Sequence, residues 1–141
     1  MMETHFPVSI ITPGGLIHRE AEATRILAFG IDGELAILPG HISFLTPLRI
    51  SELVIQSSEE KKLWAVAGGI LEVTHEGTRI ISSAAEEGYC IDVERAKRSA
   101  ERARKRLSGS QKGIDPKRAA RALRRAEVRL KVAASHHDHS D

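Results

Sequence analysis

The sequence predicts an α+β chain in which an N-terminal β-sandwich is followed by a C-terminal antiparallel two-helix hairpin. Three observations carry this. Short apolar runs broken by Gly- and Pro-containing turns fill the chain to about residue 87. From residue 91 the apolar residues recur at intervals of three and four instead. The charge changes sign at the same place: residues 1–90 hold 6 Lys/Arg against 12 Asp/Glu, net −6, and residues 91–133 hold 15 against 5, net +10, in a chain of 141 residues whose overall charge is only +2.

The β half, residues 1–88, reads as a series of short segments. Residues 8–11 end at Thr12-Pro13-Gly14-Gly15, residues 23–29 alternate loosely and end at Gly30, and residues 35–38 end at Pro39-Gly40. Segments 53–56, 63–67, 70–74 and 78–82 follow, with Glu76-Gly77 as a hairpin turn. Many short strands at regular intervals favour a sandwich or barrel. Aromatic residues make up only 4% of the chain against 41% hydrophobic residues, so the core must be built from Val, Ile, Leu and Ala.

In the second half, residues 91–133, Val93, Ala96, Ala100, Ala103 and Leu107 fall on one stripe of a helix, and Ala119, Leu123, Ala126, Leu130 and Ala133 on a stripe of another. Residues 108–113 form a loop short enough to make the two antiparallel. Both helices open alike, with Ile91-Asp92-x-x-Arg95-Ala96 and Ile114-Asp115-x-x-Arg118-Ala119. Asp is a good N-cap because its carboxylate accepts from free backbone N–H groups at the positive end of the helix dipole. Pro116 then occupies the first helical position, where its missing N–H costs nothing.

A seam of Ala brings helices close but buries little area, worth only a few kcal/mol at about 25 cal/mol per Å², against the entropy of ordering the segment. The Ala, Arg, Lys and Glu content keeps each helix intact. The expectation is a hairpin whose helices form easily and dock weakly.

Several functions are disfavoured. The apolar runs are far below the roughly 20 residues a membrane helix needs. Residues 1–8 resemble neither a secretory signal nor a transit peptide, so the chain is expected to stay where it is made. Cys90, the only cysteine, forms no internal disulfide and reads as a packing or incidental residue. Glu34 and His41 have no nucleophile or orienting group beside them in sequence, and no G-x-x-x-x-G-K-[ST] loop is present, so no catalytic residue is expected. The run His136-His137-Asp138-His139 has metal-compatible ligands, but, terminal and polar, it reads as part of a disordered tail over residues 134–141, with no metal site.

Three stretches of sequence point to a family. Gly33-Glu34-Leu35-Ala36-Ile37-Leu38-Pro39-Gly40-His41 is followed by Phe44-Leu45-Thr46-Pro47-Leu48, and further on by Val66-Ala67-Gly68-Gly69-Ile70-Leu71-Glu72-Val73. In order and spacing these resemble the sandwich of the epsilon subunit of bacterial F-type ATP synthases, and the resemblance extends over the helical hairpin. Gly33, Pro39, Gly40, Gly68 and Gly69 read as structural, at turns or bulges where a side chain would clash.

The resemblance implies a non-catalytic subunit of the central stalk that couples proton flow to ATP synthesis and restrains ATP hydrolysis through a movable hairpin. Its implied partners are the gamma subunit and the c-ring for the sandwich, and the alpha and beta subunits for the extended hairpin, through basic side chains such as Arg98, Arg104, Arg106, Arg121 and Arg124. It also implies a peripheral place on the cytoplasmic face of the bacterial inner membrane. No cofactor is required, but ATP is implied as a regulatory ligand. Glu86, Ile91, Asp92, Arg95, Ala96 and Arg102 fit the nucleotide motif of some bacterial members, and Arg125 and Arg129 fall at matching places on the second helix. In that reading Ile91 faces adenine, Asp92 or Glu86 accepts from its exocyclic amine, and the arginines grip the phosphates. Gly88-Tyr89-Cys90 departs from the family's more acidic approach to the motif. A basic hairpin also suits nucleic acid, but the helices carry no aromatic residue to stack on bases and the sandwich is acidic, so no nucleic-acid partner is expected.

Overall fold

The structure, a computed structural model, describes residues 4–40, 42–109 and 113–139, with the backbone alone for residues 137–139. His41 and the middle of the loop at 108–113 lie outside the described residues. The strands are β1 (Phe6–Thr12), β2 (Gly15–Gly30), β3 (Gly33–Ile37), β4 (Phe44–Ser57), β5 (Lys61–Thr74), β6 (Gly77–Ile81) and β7 (Ala85–Glu87). A 3-10 turn at Gly88–Cys90 leads into α1 (Val93–Ser108), and α2 (Pro116–His139) completes the hairpin.

The strands run in the order β1-β6-β5-β4-β2-β3, and an added β1–β2 pairing closes the ring. The result is a flattened barrel, or a sandwich whose two layers share their longest strands. All strand pairs are antiparallel except β1 with β6. Val8, Ile10, Ile26, Ile37, Leu53, Ile55, Leu71 and Ile80 fill the interior, with Trp64 and Phe6 as its buried rings. The aliphatic core expected from composition is therefore present.

Two expected segments are one strand. Residues 63–67 and 70–74 both belong to β5, which pairs with β4 in unbroken register from Phe44↔Val73 to Gln56↔Lys61. The intervening glycines answer a crowding on the other edge. There β5 changes partner from β6 to β7, and the chain leaving β6 crosses so close that a Cβ on Gly69, whose φ is +123°, would overlap the Ile81 carbonyl. The strands β2 and β4 are also longer than expected: the first half of β2 pairs with β1 and closes the barrel, and the first half of β4 pairs with the second half of β5.

Both helices start where their caps predict. Asp92 Oδ1 accepts from Arg95 N at 3.1 Å, and Asp115 Oδ1 accepts from Lys117 N at 2.9 Å, with Pro116 opening the second helix. The second helix corrects the expected tail: it continues past residue 133 to His139. No Gly or Pro stops it, and its last turns have something to pack on, since Val132 and His136 lie against Gly88. A Cβ on Gly88 would stand 2.9 Å from that of His136, and the Tyr89 and His136 rings are 6.0 Å apart. The departure at 88–90 thus makes room for the end of α2.

The hairpin is folded down on the sandwich. Ala96, Ala100 and Ala103 of α1 are buried, as are Ala119, Ala126 and Ala133 of α2. Leu107 is exposed, and Leu123 and Leu130 are only partly covered. A second apolar set on α2, Val128 and Val132, joins Leu63, Ala65 and Ile91 in a small cluster separate from the barrel core. β5 is therefore buried on both faces over residues 63–66: Trp64 and Val66 point into the barrel, Leu63 and Ala65 toward α2. Among the described residues, no helix is long and apolar enough to cross a membrane.

Candidate functional site

A cleft of about 540 Å³ opens where the hairpin meets the sandwich. Its apolar wall is small-residue backbone and side chain from Ala65, Val66 and Ala67 of β5 and from Ala84 and Ala85 at the approach to β7. The opposite walls are the two helices. Arg95, Ser99, Arg102 and Arg106 come from α1, and Arg125 and Arg129 from α2. The spacing explains the convergence: Arg95 and Arg102 are two turns apart on one face of α1, and Arg125 and Arg129 one turn apart on α2. Antiparallel helices turn the two sets toward each other across the Ala seam.

Glu86 is the acidic member. It sits on β7, opposite Ala65 of β5, and receives Arg129 through two hydrogen bonds, Nε to Oε2 at 2.9 Å and Nη2 to Oε1 at 3.4 Å. Arg102 Nη2 donates to Ser99 Oγ at 3.2 Å. A cleft with small apolar walls at one end and several guanidinium groups along the other has the chemistry to hold a flat apolar ring attached to a multiply charged anion.

Of the eight nucleotide-site residues expected from sequence, Glu86, Arg95, Arg102, Arg125 and Arg129 line this cleft. Three do not. Ile91 packs with Leu63, Val128 and Val132; Asp92 caps α1; Ala96 is buried in the helix seam. The sequence reading missed the cleft's alanine wall. Its signal was the continuous apolar run at 63–67, which marks a strand covered on both faces.

The basic residues assigned to partner contact divide as well. Arg98, Arg104 and Arg121 are exposed. Arg106 lines the cleft, and Arg124 is spent on docking, its Nε donating to the Ile50 carbonyl at 3.2 Å. Lys131 adds an ion pair to Glu52 at 3.0 Å. Gly33, Gly40, Gly68 and Gly69 all have positive φ, and Pro39 lies in the turn after β3. Cys90, read as packing or incidental, is exposed: it follows Tyr89 in the 3-10 turn, outside both apolar clusters. Among the described residues no group of three His, Cys, Asp or Glu is placed to hold a metal ion.

One further titratable group lies apart from the cleft. The His18 ring on β2 packs against Trp64, with centroids 4.9 Å apart, and its Nε2 has no protein hydrogen-bond partner. Burial, then the nearby Lys62 ammonium, hold its pKa below the usual histidine value.

Comparison with known proteins gives this geometry a family. The beta-sandwich domain of the ATP synthase delta/epsilon chain matches residues 5–88, and the long alpha-helix domain of the same chain matches residues 91–134. The chain belongs to that family. An ATP synthase epsilon chain of Bacillus mycoides is 41% identical over 128 residues, covering 91% of this chain and 96% of that relative. The epsilon chain of Syntrophomonas wolfei is 39% identical over 134 residues, covering 94% and 97%, and that of Moorella thermoacetica 40% over 129 residues, covering 91% and 96%.

Solved structures agree on the fold. A chain of the Euglena gracilis mitochondrial ATP synthase, from an OSCP/F1/c-ring assembly, superposes with a TM-score of 0.70 at 17% identity, covering all of this chain and 84% of that one. A chain from the Tetrahymena thermophila central stalk and c-ring gives 0.57 at 16% identity, covering 96% and 98%. Membership of this family makes the chain an epsilon-type subunit of the ATP synthase complex rather than an enzyme in its own right.

Proposed function

We propose that this subunit sits on the central stalk of its ATP synthase and restrains ATP hydrolysis through its hairpin, with ATP in the interhelical cleft favouring the folded-down form. The observation that carries the proposal is the convergence of Glu86, Arg95, Arg102, Arg125 and Arg129, from three separate elements, on one cleft. Adenine lies against the alanine wall near Glu86, and the phosphates lie among the arginines. A ligand that bridges α1, α2 and β7 stabilises only the conformation in which all three meet. Its loss frees the hairpin, because the remaining contacts are few.

When extended, the hairpin presents Arg98, Arg104 and Arg121 together with the groups that docking had covered, Arg124 and Lys131. Acidic surfaces on the alpha and beta subunits are the natural partners. Each exposed pair contributes under about 1 kcal/mol, so inhibition is collective. The sandwich is the anchor on the gamma subunit and the c-ring, for which its uncovered apolar side chains, Leu16, Ile31, Ile42 and Leu45 among them, supply contact surface. In this reading the subunit lies at the cytoplasmic face of the bacterial membrane, as a peripheral component of a proton-coupled machine.

Calorimetric titration of the full chain with ATP tests the nucleotide arm, with the double variant Arg95→Ala and Arg102→Ala as control. Binding heat in the unmodified chain and none in the variant is the expected result; no heat in either ends the ATP reading. The inhibitory arm is tested separately, by truncation after Gly88 in the assembled complex. Synthesis is retained and hydrolysis rises if the hairpin is inhibitory, and unchanged hydrolysis refutes it.

A further inference from the structure

The nucleotide cleft does not end at its own arginines. A second cavity of about 610 Å³ lies beyond it, toward the loop end of the hairpin, and shares Arg106, Ala122 and Arg125 with it. Its own cation is Arg118. The six guanidinium-bearing positions therefore form one ladder along the seam. Arg95, Arg102 and Arg106 on α1 are separated by seven and four residues, and Arg118, Arg125 and Arg129 on α2 by the same intervals. Because the helices are antiparallel, the two rails run past each other. At 1.5 Å per residue each rail is about 16 Å long.

The nucleotide reading calls on four of these six, Arg95, Arg102, Arg125 and Arg129, and leaves Arg106 and Arg118. The first cleft alone has the volume of an ordinary small-molecule site, and a nucleotide whose base lies at the Glu86 end directs its phosphates up the ladder toward the second cavity. The acidic residue there, Asp115, is turned to the helix start, where its carboxylate accepts from the Lys117 and Arg118 backbone N–H groups. The Arg118 side chain is exposed and borders the cavity.

We propose that the seam takes nucleoside polyphosphates longer than three phosphates, the fourth phosphate occupying the second cavity between Arg106, Arg118 and Arg125. The proposal rests on the nucleotide reading of the first cleft and extends it. A longer anion bridges both helices nearer their loop and so holds the hairpin closed along more of its length.

Competitive calorimetry on the full chain decides it, with ATP and adenosine 5′-tetraphosphate as ligands. The tetraphosphate is expected to displace ATP and bind roughly tenfold more tightly, as one or two added charge-assisted hydrogen bonds give. Arg118→Ala is expected to bring the two ligands to parity without weakening ATP. Arg98→Ala removes an equal charge outside the cleft and is expected to leave the preference intact. Equal affinities in the unmodified chain overturn the proposal while leaving the ATP reading standing. A preference that survives Arg118→Ala, or falls equally in Arg98→Ala, also overturns it, because general attraction then explains the gain. Binding of neither ligand overturns both readings.

Discussion

The barrel and the hairpin bury their contact residues to similar fractions, yet with very different material. The fully buried residues of the barrel include Val8, Ile10, Ile26, Ile37, Leu53, Leu71 and Ile80, whereas α1 buries Ala96, Ala100 and Ala103. A buried Ala removes one methyl from water; a buried Ile or Leu removes four carbons, each worth about 0.8 kcal/mol. The barrel is also closed by hydrogen bonds all round, whereas the main contacts of the hairpin with it come from α2 alone, on β4, β5 and the 3-10 turn. Burial fraction is therefore a poor guide to cohesion. The barrel stands by itself, and the place of α1 depends on that of α2.

The largest expected effect is on the barrel side. Leu71→Ala should cost about 3 kcal/mol of global stability by denaturant unfolding, because a closed core relaxes poorly around a cavity. A loss below about 1 kcal/mol would mean that the barrel is as loosely built as the seam. Val132→Ala comes next, on the docking cluster. About 1.5 kcal/mol of docking should go with its two methyl groups. Hydrogen exchange should show faster amides in α1 and α2, with barrel amides unchanged. If barrel and hairpin lose protection together, the two regions are one cooperative unit and the contrast fails.

Smaller still is Glu86→Gln, which removes the negative charge and one of the two acceptor oxygens that face Arg129. The pair is part-exposed, with side-chain accessibilities of 22% and 34%, so under about 1 kcal/mol of docking is expected. A double-mutant cycle with Arg129→Ala would measure the coupling, and a value above 3 kcal/mol would make this pair rather than Val132 the main clasp.

The smallest effect concerns His18. Its pKa is lowered in the fold, so the unfolded chain binds more protons and stability rises with pH. That contribution is fully present above the unfolded value near 6.5 and is lost as pH falls through it toward the folded value. His18→Asn should flatten this part of the stability profile; an unaltered profile would assign the slope to other groups.

Much of this was legible in the sequence. Asp92 and Asp115 fixed both helix starts through local chemistry, and the Ala stripes fixed the seam, since capping and 3.6-residue periodicity need no knowledge of the rest of the chain. The length of β5 was not legible. Gly68 and Gly69 read as a break, whereas the strand runs through them and Gly69 makes way for a crossing neighbour 12 to 13 residues later in the chain. β7 was hidden for a related reason, as three residues of Ala-Glu-Glu carry no strand pattern and pair only because β5 has an open edge there.

The candidate site divides the same way. The arginines that the family resemblance pointed to line one cleft because residues four and seven apart share a helix face. Ile91, Asp92 and Ala96, expected beside the nucleotide, have packing or capping roles in the structure and do not line the cleft. Arg124 was read as a free cation, and nothing in its own helix marks the Ile50 carbonyl it meets on β4. The final turns of α2 read as tail because His and Asp are polar, while the surface receiving them is an absence of side chain at Gly88.

That last contact has a mechanical consequence. α2 is fastened over the stretch from Arg124 to His136, and these attachments leave out its first turn, at Pro116. A pull applied at that turn does not shear the attachments all at once. It peels them in succession, Arg124 first and the Gly88 contact last, each bearing the whole load in turn. Peeling needs far less force than shearing, so a rotating neighbour that catches the tip can lift the arm with modest torque, while the same force directed along α2 would leave it in place.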